Sequence, residues 1–275
     1  GFGAKRVEGK IVEVGTDHQS GDITHVTLAS GQKVEGDLFI DCSGFVGLLI
    51  DKTLHTGYDD WSHFLPCDSA VAVQTKSISD PIPYTKSTAR EAGWQWRIPL
   101  QSRVGNGLVF CSKYLTDDEA IKTLLSNVEG ETLTEPRVIK FRTGQRRQHW
   151  NKNCIALGLA SGFVEPLEST SIHMVQRGII RLLQMFPLDG IRKPDVEEFN
   201  TQMREEFLFI RDFIVLHYHV TERDDTRFWR HCKTMPIPES LQHRIELFKQ
   251  TGKVFQKAGD VFAENSWTQE IGRAS

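Results

Sequence analysis

Glu168 is followed by Ser169-Thr170-Ser171 and then by a strongly apolar helical pattern, which sets a carboxylate and three hydroxyls at the start of a predicted helix. Two readings fit these residue types. Ser169-Thr170-Ser171 can be an ordinary N-cap. Alternatively, the free backbone N–H groups and the helix dipole make an anion site, for which a few N–H donors suffice. Burying a carboxylate such as Glu168 here is costly unless it is paired, so it is either surface-facing or functional. A second motif, Trp94-Gln-Trp96-Arg-Ile98-Pro99, sets two indoles two residues apart on one face of a strand that stops at Ile-Pro. Such a pair can be core aromatics or the wall of a site. A third, Asp41-Cys-Ser-Gly44, follows a short strand; Gly44 there permits close approach of a ligand to the backbone, or simply makes a tight turn. His217 and His219, with Asp224, Asp225 and His231 nearby, match no zinc spacing. A one-residue gap on a helix puts the two imidazoles on different faces, so no metal is assigned.

The elements that must hold these residues are legible in outline. Val7 to Val14, Ile23 to Leu28 and Asp37 to Ile40 read as strands, broken by turns at Ser20-Gly-Asp22 and Ser30-Gly31. Residues 60–145 read as mostly extended, with β patterns at Ser69 to Gln74, Gly93 to Leu100, Gly107 to Cys111 and Arg137 to Arg142. One helix interrupts them, announced by the capping box Thr116-Asp-Asp-Glu119 and carried by Ala120, Ile121, Leu124 and Leu125. Asn153 to Gly158 is a buried strand. Helical periodicity then takes over, with one stripe of Ile172, Val175, Ile179, Leu182, Leu183 and Phe186 stopped by Pro187. A longer stripe runs through Val196, Phe199, Met203, Phe207, Ile210, Ile214 and His217, and the last forty or so residues also read as helical, with Leu241, Ile245 and Phe248 in register. Thr221-Glu-Arg-Asp-Asp-Thr226 reads as a charged turn.

The 275 residues can bury a sizeable core, and 39% hydrophobic with 25% charged residues is an ordinary globular composition. With 33 basic against 36 acidic residues, net charge −3, there is no electrostatic footprint for nucleic acid. The longest apolar run, Phe45-Val-Gly-Leu-Leu-Ile50, is too short to span a bilayer, so no membrane partner is expected, and no signal-peptide pattern opens the chain. The five cysteines include no C-x-x-C pair and read as buried thiols in a reducing compartment, hence a cytoplasmic localisation.

The WxWxIP motif and the Glu165-Pro-Leu-Glu168-Ser-Thr run together resemble the flavin-dependent tryptophan halogenase family, and the resemblance extends over nearly the whole chain. It implies an α+β fold, the C-terminal part of an FAD-dependent monooxygenase/halogenase-like architecture with a mixed β-sheet and a helical C-terminal cap. Residues 1–60 and 137–186 would be the remaining part of the FAD-binding module, 61–136 a substrate-side β-sheet, and 187–275 the helical cap. It implies an enzyme that takes reduced FAD from a separate flavin reductase and oxidises chloride or bromide with a flavin hydroperoxide to halogenate an electron-rich aromatic such as an indole. Carried over residue by residue, Glu168 would be the catalytic carboxylate. Gly44, Leu159 and Ile172 would contact the cofactor, and Thr170 and Ser171 the halide. Trp94, Trp96, Ile98 and Pro99 would lie beside the flavin and keep the substrate from it.

The departures matter as well. The family has Gly where this chain has Ser171, so a Cβ there is expected to narrow the halide site or change the backbone angle. No GxGxxG strand-turn-helix is present, and the family's catalytic Lys belongs to that N-terminal portion, so the chain alone is expected to be inactive and not to retain FAD. Near Gly272-Arg-Ala-Ser275, tryptophan-specific members carry paired tyrosines where this chain has Ser266-Trp267, which points away from free tryptophan and towards indole or another arene. Two alternatives stay open: an arene-hydroxylating flavin monooxygenase, and a non-catalytic fragment acting as a binding or complementation partner.

Overall fold

The computed structural model describes residues 3–256 and 260–272, so Arg273, Ala274 and Ser275 lie outside the described residues. The chain forms two compact units, one of residues 1–59, 145–163 and 171–205, the other of 60–144, 164–170 and 206–275.

The first unit opens with an antiparallel meander, Ile11–Thr16, Ile23–Leu28 and Lys33–Glu35. The first strand starts later than Val7, since Glu8, Gly9 and Lys10 are exposed and offer no apolar alternation. Mixed pairing occurs in a small sheet where Cys154–Ala156 runs parallel to Phe39–Asp41 and antiparallel to Trp150–Asn151. Cys154, Ile155 and Ala156 are fully buried, and Cys154 and Ala156 pack with Ile23, Ile50 and Ala160. Asn153 ties the two sheets together, its Oδ1 accepting from Ile23 N at 2.9 Å and its Nδ2 donating to Ile23 O at 2.8 Å. Phe45 to Ile50 is neither strand nor span but two short helical turns, Gly44–Val46 and Leu48–Thr53.

Among the described residues six α-helices follow one another: α1 (Asp117–Leu125), α2 (Ser171–Gln184), α3 (Lys193–His219), α4 (Arg227–Thr234), α5 (Glu239–Thr251) and α6 (Glu264–Gly272). In α2 most of the apolar stripe is not buried. Ile172 is 82% exposed and Leu183 68%, and Ile179 and Phe186 are exposed too. The buried face is Met174, Gly178, Arg181 and Leu182, which shares only Leu182 with that stripe, with Gly178 close against Leu157 and Arg181 Nε donating to Gln202 Oε1 at 3.1 Å. Periodicity identifies the apolar side of a helix but not what covers it.

The second unit is built on a five-stranded antiparallel sheet ordered Arg137–Lys140, Ser69–Thr75, Val104–Phe110, Gly93–Pro99 and Lys86–Arg90. The edge strand Lys86–Arg90 escapes sequence reading because Lys-Ser-Thr-Ala-Arg carries no apolar alternation, a common composition for a protected edge. The capping box at Thr116 forms as expected, Thr116 Oγ1 accepting from Glu119 N and the Glu119 carboxylate from Thr116 N. Helix α3 supplies Phe207, Ile210 and Ile214 to this unit's core, where Phe228, Leu241 and Trp267 are also buried.

Candidate functional site

The strand Gly93–Pro99 alternates so that Trp94 and Trp96 share a face, their rings 5.9 Å apart and inclined at 53°. Across the sheet Trp96 pairs with Gly107, where a Cβ would come within 2.0 Å of the Trp96 ring. The glycine makes room for the indole. Trp94 is buried, whereas Trp96, Ile98 and Pro99 are half-buried and the strand ends at Pro99. The Trp94 indole Nε1 donates to Glu165 Oε2 at 3.2 Å, and the Tyr218 hydroxyl donates to the same oxygen. Glu165 is fully buried, and burial pushes its carboxyl up to about 7 against the opposing pull of the Tyr218 and Trp94 hydrogen bonds. Sequence reasoning assigned no role to Glu165 or Tyr218. Nothing in the local sequence Gly162-Phe-Val-Glu165-Pro-Leu marks Glu165 as buried.

Glu168 closes a short turn, Pro166–Glu168, and Ser169 after it takes the left-handed conformation at φ 54°, uncommon for a residue with a side chain. The Glu168 carboxylate Oε1 lies 3.0 Å from His217 Nε2, and His217 Nδ1 lies 2.8 Å from the Phe213 carbonyl. A carbonyl oxygen only accepts, so Nδ1 carries a proton, and the Nε2–Oε1 contact holds a second one. Burial alone would lower the His217 imidazolium. The hydrogen bonds to Glu168 and the Phe213 carbonyl, with the charges of Glu168 and Glu270, outweigh it and raise the group above its ordinary value. Glu270 Oε2 lies 3.9 Å from the same nitrogen. His217, set aside above as a poor zinc ligand, is therefore the partner of the candidate carboxylate. Among the described residues no group of three or more His, Cys, Asp or Glu side chains is placed to hold a metal.

Trp94, Leu167, His217, Tyr218, Trp229 and Glu270 are among the residues lining a cavity of about 590 Å³ in this unit. Two indoles, a phenol and a leucine give it the apolar walls of a small-molecule pocket, with the charged groups confined to a few positions. Thr170, at the end of the same loop, is buried, and its hydroxyl has no hydrogen-bond partner among the described residues.

In the first unit the Gly44 turn is shaped by Asp41. This buried carboxylate accepts from Ser43 N at 2.9 Å through Oδ1, and from Leu49 N and Ile50 N at 2.8 and 2.9 Å through Oδ2. Gly44 sits at φ 75° with open space where a Cβ would project. Its turn packs on the turn Gly158–Ala160, which α2 also touches. Leu159 and Ile172 are exposed. Ser171 opens α2, is exposed and does not adopt a positive φ, so its Cβ forces no unusual backbone angle.

The sequence model of a family described as tryptophan halogenase matches residues 1–272. Among curated relatives, the 7-chloro-L-tryptophan 6-halogenase KtzR of Kutzneria sp. (strain 744) is 40% identical over 251 residues, 90% of this chain and 48% of its own. The tryptophan 7-halogenase RebH of Lentzea aerocolonigenes is 36% identical over 263 residues, 94% of this chain and 49% of its own. Among solved structures, Xcc4156, a flavin-dependent halogenase from Xanthomonas campestris, superposes with a TM-score of 0.97 at 54% identity, covering 99% of this chain and 55% of that one. BrvH, a flavin-dependent halogenase from Brevundimonas sp. BAL3, gives 0.95 at 47% identity, covering 99% and 56%. The chain thus spans about half the length of the curated relatives it matches.

Proposed function

Since this chain belongs to the tryptophan halogenase family, with an α+β halogenase-like fold, we propose that it is the substrate-side portion of a flavin-dependent halogenase acting on an indole or a similarly electron-rich arene. The observation that carries this reading is the Glu168–His217 pair, 3.0 Å apart, with His217 on the wall of an aromatic cavity. A carboxylate so held stabilises positive charge developing on an arene in a site poor in water.

Leu159 and Ile172, both exposed, and Gly44, with open space where a Cβ would project, suit the edge of an isoalloxazine ring. Reduced FAD with oxygen, when bound, would supply the two-electron oxidation that converts chloride or bromide into hypohalous acid. The buried, unpartnered hydroxyl of Thr170 and the start of α2 at Ser171 offer donors to the halide. Trp94, held by Glu165, and Trp96, seated over Gly107, with Ile98 and Pro99 after them, separate cofactor from substrate. At the arene, a carbon–halogen bond forms as the oxygen–halogen bond of hypohalous acid breaks. The departing hydroxide takes up one proton and leaves as water, while Glu168 stabilises the cationic ring and takes the ring proton, so one proton is consumed and one released. Functionally, residues 1–60 and 137–186 serve the flavin, 61–136 the substrate side and 187–275 the cap. A separate flavin reductase would supply the reduced cofactor, and the five free cysteines, of which Cys42 is exposed rather than buried as expected, suit a reducing cytoplasm. No helix among the described residues is long and apolar enough to cross a membrane.

Free tryptophan is the poorer candidate substrate. Trp267 is buried against Phe213 and under the Arg244 guanidinium, and so offers no grip on an amino acid. The test is to join this chain to the portion of the Xanthomonas campestris enzyme that it does not cover, then supply reduced flavin, oxygen, bromide and indole. A product carrying bromine supports the reading. A hydroxylated product formed without any need for halide would replace it with an arene monooxygenase.

A further inference from the structure

We propose that Glu165 is the positioning residue of the tryptophan motif, its Oε2 gathering the Trp94 indole N–H and the Tyr218 hydroxyl so that the two rings form one fixed wall of the cavity. This rests on the reading of that cavity as the arene site, but its geometry stands by itself. Glu165 is fully buried, and neither of its hydrogen bonds comes from a cation. Its Oε1 has no hydrogen-bond partner among the described residues. A buried carboxyl left in this state costs stability, so the sequence keeps it against the interest of packing alone. Both donors to Oε2 are rings lining the cavity. Removing the acceptor would leave the indole N–H unsatisfied in an apolar wall and the phenol with only the Cys67 thiol beside it, both free to turn towards other partners.

Other titratable groups surround the carboxyl. Tyr218 from α3 is held far above its usual range by burial, and Cys67 lies 3.5 Å from its hydroxyl. The thiols of Cys67, of Cys111 after the strand Val104–Phe110, and of Cys232 on α4 are all raised by burial and stay neutral near pH 7. The remaining charged neighbours on the cavity wall are His217, paired with Glu168, together with Glu270 and the exposed Glu222. Around neutrality, Glu165 is the group that changes charge directly at the Trp94 indole.

The experiment uses the purified chain and needs no flavin, halide or substrate. The fluorescence difference between the parent and Trp94→Phe isolates the Trp94 signal, which is followed from pH 5 to pH 9. It should titrate with a midpoint near 7, since a carboxylate at the indole N–H shifts the emission. Glu165→Gln should abolish the titration while leaving acrylamide quenching of Trp94 unchanged. Glu165→Leu should raise that quenching about twofold or more, because the ring loses its anchor. Tyr218→Phe removes one donor to the anion and should weaken the acid about tenfold, moving the midpoint up by roughly one pH unit. A signal that does not titrate, or one that persists in Glu165→Gln and vanishes in His217→Gln, overturns the proposal. Should Glu165→Leu fail to fold, the Tyr218→Phe shift still decides. Failure to brominate indole in the joined enzyme would remove the halogenase reading and leave this titration untouched.

Discussion

Glu168 and His217 are seven-tenths and four-fifths covered, at 30% and 20% side-chain exposure, which is why their pairing carries weight where a fully solvated ion pair would not. The sequence exposed half of this pair. Glu168 stood out because it lies in the Glu165-Pro-Leu-Glu168-Ser-Thr run that resembles the family motif, but His217 lies far along the chain and only the fold brings it near. Glu165 was harder still, since nothing in its local sequence says that it is buried. The two tryptophans can now be told apart. Trp94 is buried and donates a hydrogen bond, so Trp94→Phe should lower stability by about 1–2 kcal/mol. Trp96 is half-buried, and Trp96→Phe should cost under about 1 kcal/mol. Urea denaturation of the two variants checks the order, and a chain unable to fold after either change would make these residues core elements rather than a wall.

At the scale of elements, register explains more than composition. The pairing of Trp96 with Gly107 depends on the glycine having no side chain, so Gly107→Ala should push the ring off its seat. Overpacking of this kind typically costs about 1–3 kcal/mol, measurable by thermal melting with a change in near-UV circular dichroism. Helix α1 offers a cleaner local test. Thr116→Ala removes the side-chain half of the capping box and should cost about 1 kcal/mol by the same melting measurement, with no effect on the aromatic signal. Helices α1, α2, α3, α5 and α6 and most strands were legible because alternation and 3.6-residue periodicity are local properties, whereas α4 (Arg227–Thr234) was not read. Two failures share a cause. Lys86–Arg90 pairs as an edge without an apolar face, and α2 turns Ile172 and Leu183 outward, so in both the neighbour and not the pattern decides the outcome.

For the whole molecule, the two units should respond oppositely to pH. His149 in the first is buried and held down to about 3, chiefly by burial and then by the nearby Arg204 and Arg181. A depressed folded value means stability that is present above the unfolded value near 6.5 and lost as pH falls towards 3. Glu165 and His217 in the second unit are both raised, so their contribution is complete below the unfolded values and lost as pH rises, through about 7 for Glu165. The Glu165 part is on the order of 3 kcal/mol between about pH 4.5 and 7. Hydrogen exchange of peptides from each unit at pH 4, 6 and 8 should show the first unit opening in acid and the second towards pH 8; parallel responses would contradict the assignments. The central claim, that Glu168 is the catalytic carboxylate of a halogenase, is met most directly by Glu168→Gln in the joined enzyme, with brominated indole and released peroxide measured together. The amide keeps the shape of the side chain and removes its charge, so product should fall about 100- to 1000-fold while peroxide rises. Product within about threefold of the parent, a barrier change under about 1 kcal/mol, would contradict the account and leave Glu168 as a carboxylate that merely begins a helix.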